Sequence, residues 1–208
     1  MNKRRIRASG PGEAYHAVEE GTCTRVDGDA DLLLRRALDR LAGDTRAAAE
    51  RAQIIVVPDD GFRDHSGPIF PEGTVGFYRF LRDEAPSGIQ VEIAVEECEY
   101  QEVVLHSDII RLATLSLEYV LLPVAASLIA NYLFSILRNR SKDAEIRLSL
   151  IVTERHNQSK KTVRLSYEGP ARAFEKVLTR SLASRQDIDG SKTVPNTPSV
   201  VIKKKHRK

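Results

Sequence analysis

The sequence lacks most of the signatures that announce catalysis. It has no G-x-x-x-x-G-K-[ST] phosphate loop and no G-x-G-x-x-G fingerprint, so neither glycine-rich nucleotide cradle is present. No G-x-S-x-G elbow occurs, which removes the usual α/β-hydrolase nucleophile. There are two cysteines, Cys23 and Cys98, with no metal or redox spacing between them, and the expectation is reduced thiols in a cytoplasmic protein. Cys98 sits in "EECEY", and a carboxylate-rich setting disfavours a nucleophilic thiolate. His106 has no obvious partner and reads as a capping or surface residue. The basic start, "MNKRRIR", is followed by no apolar stretch, so no secretory signal is expected. No aromatic residues interleave with the basic ends, so base stacking, and with it nucleic-acid binding, is not expected. No cofactor is expected.

What is present is an ordinary globular composition. The chain has 208 residues, 29% of them charged, with a net charge of +3, which suggests one domain with extensions, or one and a half domains. Much of the basic excess lies in "MNKRRIR" and "VIKKKHRK", read as solvated tails. Residues 1–28 are polar and lack periodicity, and read as irregular. A helix is expected over 29–52, where Leu34, Ala37, Leu38 and Leu41 make one apolar stripe and Gly43 is a point of division. The core domain spans 53–184. It opens with the short apolar strand "QIIVV", continues through a helix capped by Thr74, and reaches the alternating strand "IQVEIAVE". A crossover of this kind makes its two strands parallel. Further on, "AEIRLSLIVTE" and "TVRLSYEG", joined by "HNQSKK", predict a β-hairpin. Pro170 opens a last helix, and residues 185–208 read as a disordered basic tail. The predicted class is α/β (α+β). Its elements run β-α-β-α-β-β-α, forming a mixed four-stranded sheet with a long hydrophobic central helix and an extra N-terminal helix.

That central helix, expected over about 108–138, poses the main question. Tyr119–Leu137 carries no charge, and a helix of that length reaches about 28 Å, close to a bilayer core of about 30 Å. Against a span stand Glu118 at its edge, Asn131 and Pro123 within it, and the basic cluster Arg138, Arg140 and Lys142 after it. Above all, a span would put strand 89–96 and hairpin 145–168 on opposite sides of the membrane, and an isolated hairpin is marginal in water. On a helical wheel Ser116, Pro123, Ser127, Asn131, Ser135 and Arg138 share one face, with Ala126 and Ala130 beside it. The remaining apolar arc is wider than one sheet can cover. The favoured reading is therefore a buried helix with surplus surface for a companion.

The stretch "VVPDDGFRDHSGPIFPEG" is the one segment that looks like a site, because it follows a predicted parallel strand. Asp59, Asp60, Asp64 and His65 are candidate ligands for a divalent cation such as magnesium, manganese or zinc. A solvated acidic turn explains the same residues.

Three stretches, "FYRFLRDEAPSGIQVEI", the apolar helix ending in "ILRNR", and "AEIRLSLIV…KTVRLSYEGP" before "FEKVLTRSLA", together resemble the effector-associated constant component family of bacterial conflict systems over about 53–184. The N-terminal extension and the acidic segment 97–108 depart from that pattern. The resemblance implies a non-enzymatic accessory protein working beside separate effectors, and it carries over no catalytic residue.

The expectation is thus an adaptor that docks a protein partner or a second copy of itself, with Ala126, Ser127, Ala130, Asn131 and Ser135 as the interaction residues. A first alternative is a component anchored at the inner membrane by the 119–137 helix, or lying on a membrane surface. A second is a metal-dependent enzyme using the 59–65 loop. Asn131→Leu is expected to change oligomeric state or partner choice more than fold. Light scattering on the purified variant checks this, and unchanged assembly removes the assignment.

Overall fold

The computed structural model describes residues 21–26, 29–59, 67–104, 107–138, 144–156 and 159–180. Its centre is a mixed sheet. The strands are β1 (Thr22–Val26), β2 (Ile54–Val57), β4 (Val91–Ile93), β6 (Ile110–Arg111), β7 (Thr114–Glu118), β8 (Glu145–His156) and β9 (Ser159–Pro170). Their order across the sheet is β1-β9-β8-β7-β2-β4, with β6 also pairing with β8. Two short strands, β3 (Phe70–Pro71) and β5 (Glu102–Val103), form a separate parallel pair.

The mixed α/β class expected from the sequence is the one observed. The parallel unit is there too: β2 runs parallel to β4, with Ile54 opposite Val91, and α3 (Thr74–Glu84) connects them. The hairpin is β8 with β9, paired in full from Glu145↔Pro170 to His156↔Ser159.

The strand count and several boundaries differ from expectation. The largest correction concerns residues 108–138. The α-helix α4 covers only Leu122–Leu137, preceded by a 3₁₀ turn over Tyr119–Leu121. Upstream of it lies β7, a central strand with β2 on one side and β8 on the other. The physical reason is visible in "ATLSLE". Leu115 and Leu117 alternate with Thr114, Ser116 and Glu118, a period-two pattern hidden beside the longer apolar run. Pro123 lies in the first turn of α4, where it has no hydrogen bond to break and so starts the helix rather than interrupting it. Ile110 faces Ile146 whereas Leu115 faces Leu150. One extra residue between β6 and β7 therefore makes a β-bulge on that edge of β8.

Other expectations are corrected in smaller ways. The segment taken as irregular to residue 28 contains β1, antiparallel to β9. This pairing needs glycine twice: a side chain on Gly21 would overlap the Tyr167 ring, and one on Gly169 would overlap Gly21. The helix expected over 29–52 is two helices, α1 (Ala30–Asp39) and α2 (Gly43–Arg51), with the break just before Gly43, whose φ of 48° is left-handed. Thr74 is not the cap of α3. Gly73 holds that position, and the Thr74 hydroxyl donates to the Pro71 carbonyl at 2.6 Å. Pro170 ends β9; a 3₁₀ turn follows, and residues 174–180 are helical.

Two apolar clusters make three layers. On one face of the sheet, Leu115, Leu117, Leu148, Leu150 and Val163 pack against α3, α4 and the 174–180 helix. On the other, Ile55 and Val57 meet Leu34, Ala37 and Ala49 of α1 and α2. Within α4, Leu122, Ala125, Ala126, Leu128, Ile129, Leu133 and Leu137 are buried. This is the three-and-four spacing of a single helix face, and each large side chain so buried contributes about 1.5–3 kcal/mol.

Leu115 is fully buried at the centre of β7. Leu115→Ala is expected to cost about 2–5 kcal/mol in urea unfolding. A loss below about 1 kcal/mol would contradict a core strand at this position.

Candidate functional site

Because α4 joins β7 to β8, and these strands are parallel neighbours, the helix must lie along the sheet. Its inner side fills the core and its outer side faces away. Pro123, Ser127, Asn131 and Ser135 are exposed, together with Val120 and Phe134. Val120 is 73% exposed and Phe134 72%, so two large apolar side chains stand in water at either end of the exposed stripe. No charged side chain occurs from Tyr119 to Leu137.

The interaction residues read from the sequence divide accordingly. Ser127, Asn131 and Ser135 lie on the outer face, Ala130 is half-buried at its edge, and Ala126 is buried in the core. The Ser135 hydroxyl donates to the Tyr132 carbonyl at 2.7 Å, so it serves the helix itself. Phe134 was missed because a wheel drawn over 108–138 grouped small and polar residues. The signal available was its place one turn from Asn131, on the same stripe. Beside Phe134, a groove of about 450 Å³ runs between α4 and the start of the last helix, with Leu133, Leu137 and Ala171 in its lining.

The acidic departure at 97–108 has a structural use. The Glu102 carboxylate accepts the amides of Gly73 and Val75, both at 3.1 Å, capping α3 from another part of the chain. The Tyr100 hydroxyl also donates to Glu102. Partial burial opposes ionisation of Glu102. Hydrogen bonds from Tyr100 and from the Val75, Gly73 and Thr74 amides outweigh it and hold the carboxyl below its ordinary value. Burial, and then the bond to Glu102, push the Tyr100 hydroxyl strongly upward. Glu96 does the same service for α2, accepting the Ala42 amide at 2.8 Å and the Thr45 hydroxyl at 3.1 Å. A cleft of about 380 Å³ lies at the capped end of α3, between Thr74, Val103, Leu112 and Tyr132.

Of the candidate metal ligands, Asp59 exchanges backbone hydrogen bonds with Ile69 and accepts the Thr114 hydroxyl at 3.4 Å. Asp60, Asp64 and His65 lie outside the described residues. Among the described residues, no group of three or more His, Cys, Asp or Glu side chains is placed to hold a metal. Cys98 is exposed in a 3₁₀ turn and Cys23 is half-buried in β1.

No family model, curated protein or solved structure matches this chain. The resemblance to the effector-associated constant component family therefore stands on the quoted residues alone.

Glu102 gives a pH prediction. Its folded-state pKa is lowered, so its stabilisation is fully present above the ordinary value and is lost as pH falls through the depressed one. Glu102→Gln is expected to cost about 1 kcal/mol at pH 7, the usual scale of a helix cap, and to flatten the acid limb of the stability profile. Urea unfolding from pH 7 down to pH 3 checks both; an unchanged acid limb would remove Glu102 as its source.

Proposed function

We propose that this protein is a non-catalytic accessory protein that docks a protein partner through the outer face of α4. The observation that carries this reading is the mismatch between the two sides of one helix. Tyr119–Leu137 has a mean hydropathy of 2.0, yet only 39% of its most apolar stretch is buried. In a chain with 29% charged residues, a long uncharged surface bearing Val120 and Phe134 matches the charge depletion seen at interface cores. The small residues Ser127 and Asn131 between those two let another backbone approach closely. The resemblance stated above supports a setting in a bacterial conflict or defence system, beside a separate effector.

The same hydropathy supports a second reading, in which α4 attaches the protein to a membrane. Its length and composition suffice to cross one. However, β7 and β8 flank the helix and pair with each other, and adjacent strands lie about 4.8 Å apart while a bilayer core is about 30 Å thick. In this reading, then, the helix lies on the lipid surface and does not cross it.

Phe134→Lys separates structural from docking roles. Phe134 is exposed, so the substitution is expected to change stability by no more than about 0.5 kcal/mol. In parallel pull-downs from cells that make the protein, the variant is expected to lose the partner captured by the natural chain. Capture of the same proteins by both would exclude the α4 face. Recovery of the natural chain in a carbonate-resistant membrane fraction, lost in the variant, would favour the membrane reading.

A further inference from the structure

A second place for a partner lies at the edge of the sheet. β1 occupies that edge, paired antiparallel with β9 from Thr22↔Glu168 to Val26↔Arg164. On its other side β9 is gripped by β8 along its whole length, and Val163, Leu165 and Tyr167 of β9 are buried. β1 is held differently. Thr22, Thr24 and Arg25 are exposed and Cys23 is half-buried, so this strand brings little apolar area to the core. Polar contacts between side chains this exposed add little. The Thr24 hydroxyl, for one, reaches the Ser166 carbonyl at 3.4 Å. Backbone hydrogen bonds therefore supply most of the hold on β1.

The fit of β1 turns on one close approach. Gly21 lies against Gly169 and the Tyr167 ring, with no room for a side chain on either glycine. The ring is itself fixed: its hydroxyl donates to the Pro170 carbonyl at 2.7 Å, and it meets Phe174 edge-on. The β9 edge thus specifies the strand that it accepts. A glycine must sit beside Gly169, followed by a polar residue opposite Glu168, a small one opposite Tyr167, a hydroxyl opposite Ser166 and a long stem opposite Leu165. Gly21, Thr22, Cys23, Thr24 and Arg25 meet that specification in turn.

We propose that β1 is a displaceable strap, and that the β9 edge beneath it receives an extended segment of a protein partner carrying the same glycine-led pattern. This surface is separate from the docking face on α4 and does not depend on it. In strand addition, main-chain hydrogen bonds give affinity and alternate side chains give selectivity. An edge element with few buried side chains opens at lower free energy than the core, so the β9 edge is uncovered without unfolding the sheet. Residues 27–29 tie β1 to α1, and α1 stays on the sheet through Leu34 and Ala37 and the Asp31–Lys160 ion pair at 3.7 Å. Three residues reach about 10 Å, which keeps β1 beside its own β9 and away from a second copy. A tethered strand competes at high effective concentration, so the edge stays closed until a partner strand outcompetes β1.

Two measurements on the full chain test this. In hydrogen exchange on the natural protein, the β1 amides bonded to β9 are expected to exchange at least ~100-fold faster than the amides joining β7 to β8. In fluorescence anisotropy under reducing conditions, the probe is a labelled peptide of residues 21–26, "GTCTRV", with a copy bearing valine in place of glycine as control. Gly21→Val in the protein is expected to release β1, seen as faster exchange of its amides. The released chain is expected to bind the glycine peptide at least ~10-fold tighter than the natural chain does. Phe134→Lys is expected to leave that binding unchanged. The proposal is overturned if the β1 amides of the natural chain exchange no faster than those joining β7 to β8, or if Gly21→Val leaves them protected. It is also overturned if the Gly21→Val chain does not bind the glycine peptide at about 1 mM, or binds the valine copy as tightly. Equal affinity of the natural and Gly21→Val chains would put the peptide on the outer edge of β1. A concentration-dependent dimer abolished by Gly21→Val would give the β9 edge to a second copy. Either result also overturns the proposal, and none of these outcomes bears on the α4 face.

Discussion

The pairing of β7 with β8 constrains everything around it. These two strands are parallel neighbours, and a parallel connection must return the chain to its starting end. The return path is α4. Its length is therefore spent along the sheet, and one side of it is committed to the core. Ile129 and Leu133 are buried against the same cluster as Leu115 and Leu150. The other side has no such obligation, yet it is uncharged throughout. That freedom, and not any reactive group, is what makes the outer face a candidate for recognition.

The second organising device is electrostatic. Short helices leave amide donors unpaired at their N-termini, and in α2 and α3 the N-cap residues, Ala42 and Gly73, have no side-chain oxygen to pair with them. Carboxylates from one acidic segment do so instead: Glu96 reaches the start of α2 and Glu102 the start of α3. Residues that look like excess charge in the sequence thus tie the two helical layers to the connection after β4. The acidic stretch is structural at these two positions, which weakens any reading of it as a catalytic or metal-binding cluster.

The parts of the fold legible beforehand were those with local causes. The hairpin announced itself through two alternating runs with a polar turn between them, and β2-α3-β4 through a β-branched run, an aromatic helix and clean alternation. Gly43 marked a break because glycine takes at little cost the left-handed φ with which α2 begins. Phe134 and the groove were not legible, because their exposure depends on where the last helix lies relative to α4. Nor was the role of Glu102, whose amide partners are nearly thirty positions away.

By itself the sequence determined that a mixed α/β fold forms, that its hairpin and parallel unit exist, and that one long run is too apolar to sit in water unaided. Those outcomes follow from periodicity and side-chain shape, which act within a few residues. Only the tertiary structure decided where that run changes from strand to helix. Leu115 and Leu117 are apolar in either state, and the choice was made by the open edges of β2 and β8, which bond the backbone of β7 on both sides. The same is true of β1. Its polar sequence, "TCTRV", becomes a strand because β9 offers an edge and the glycines at 21 and 169 let the two chains meet.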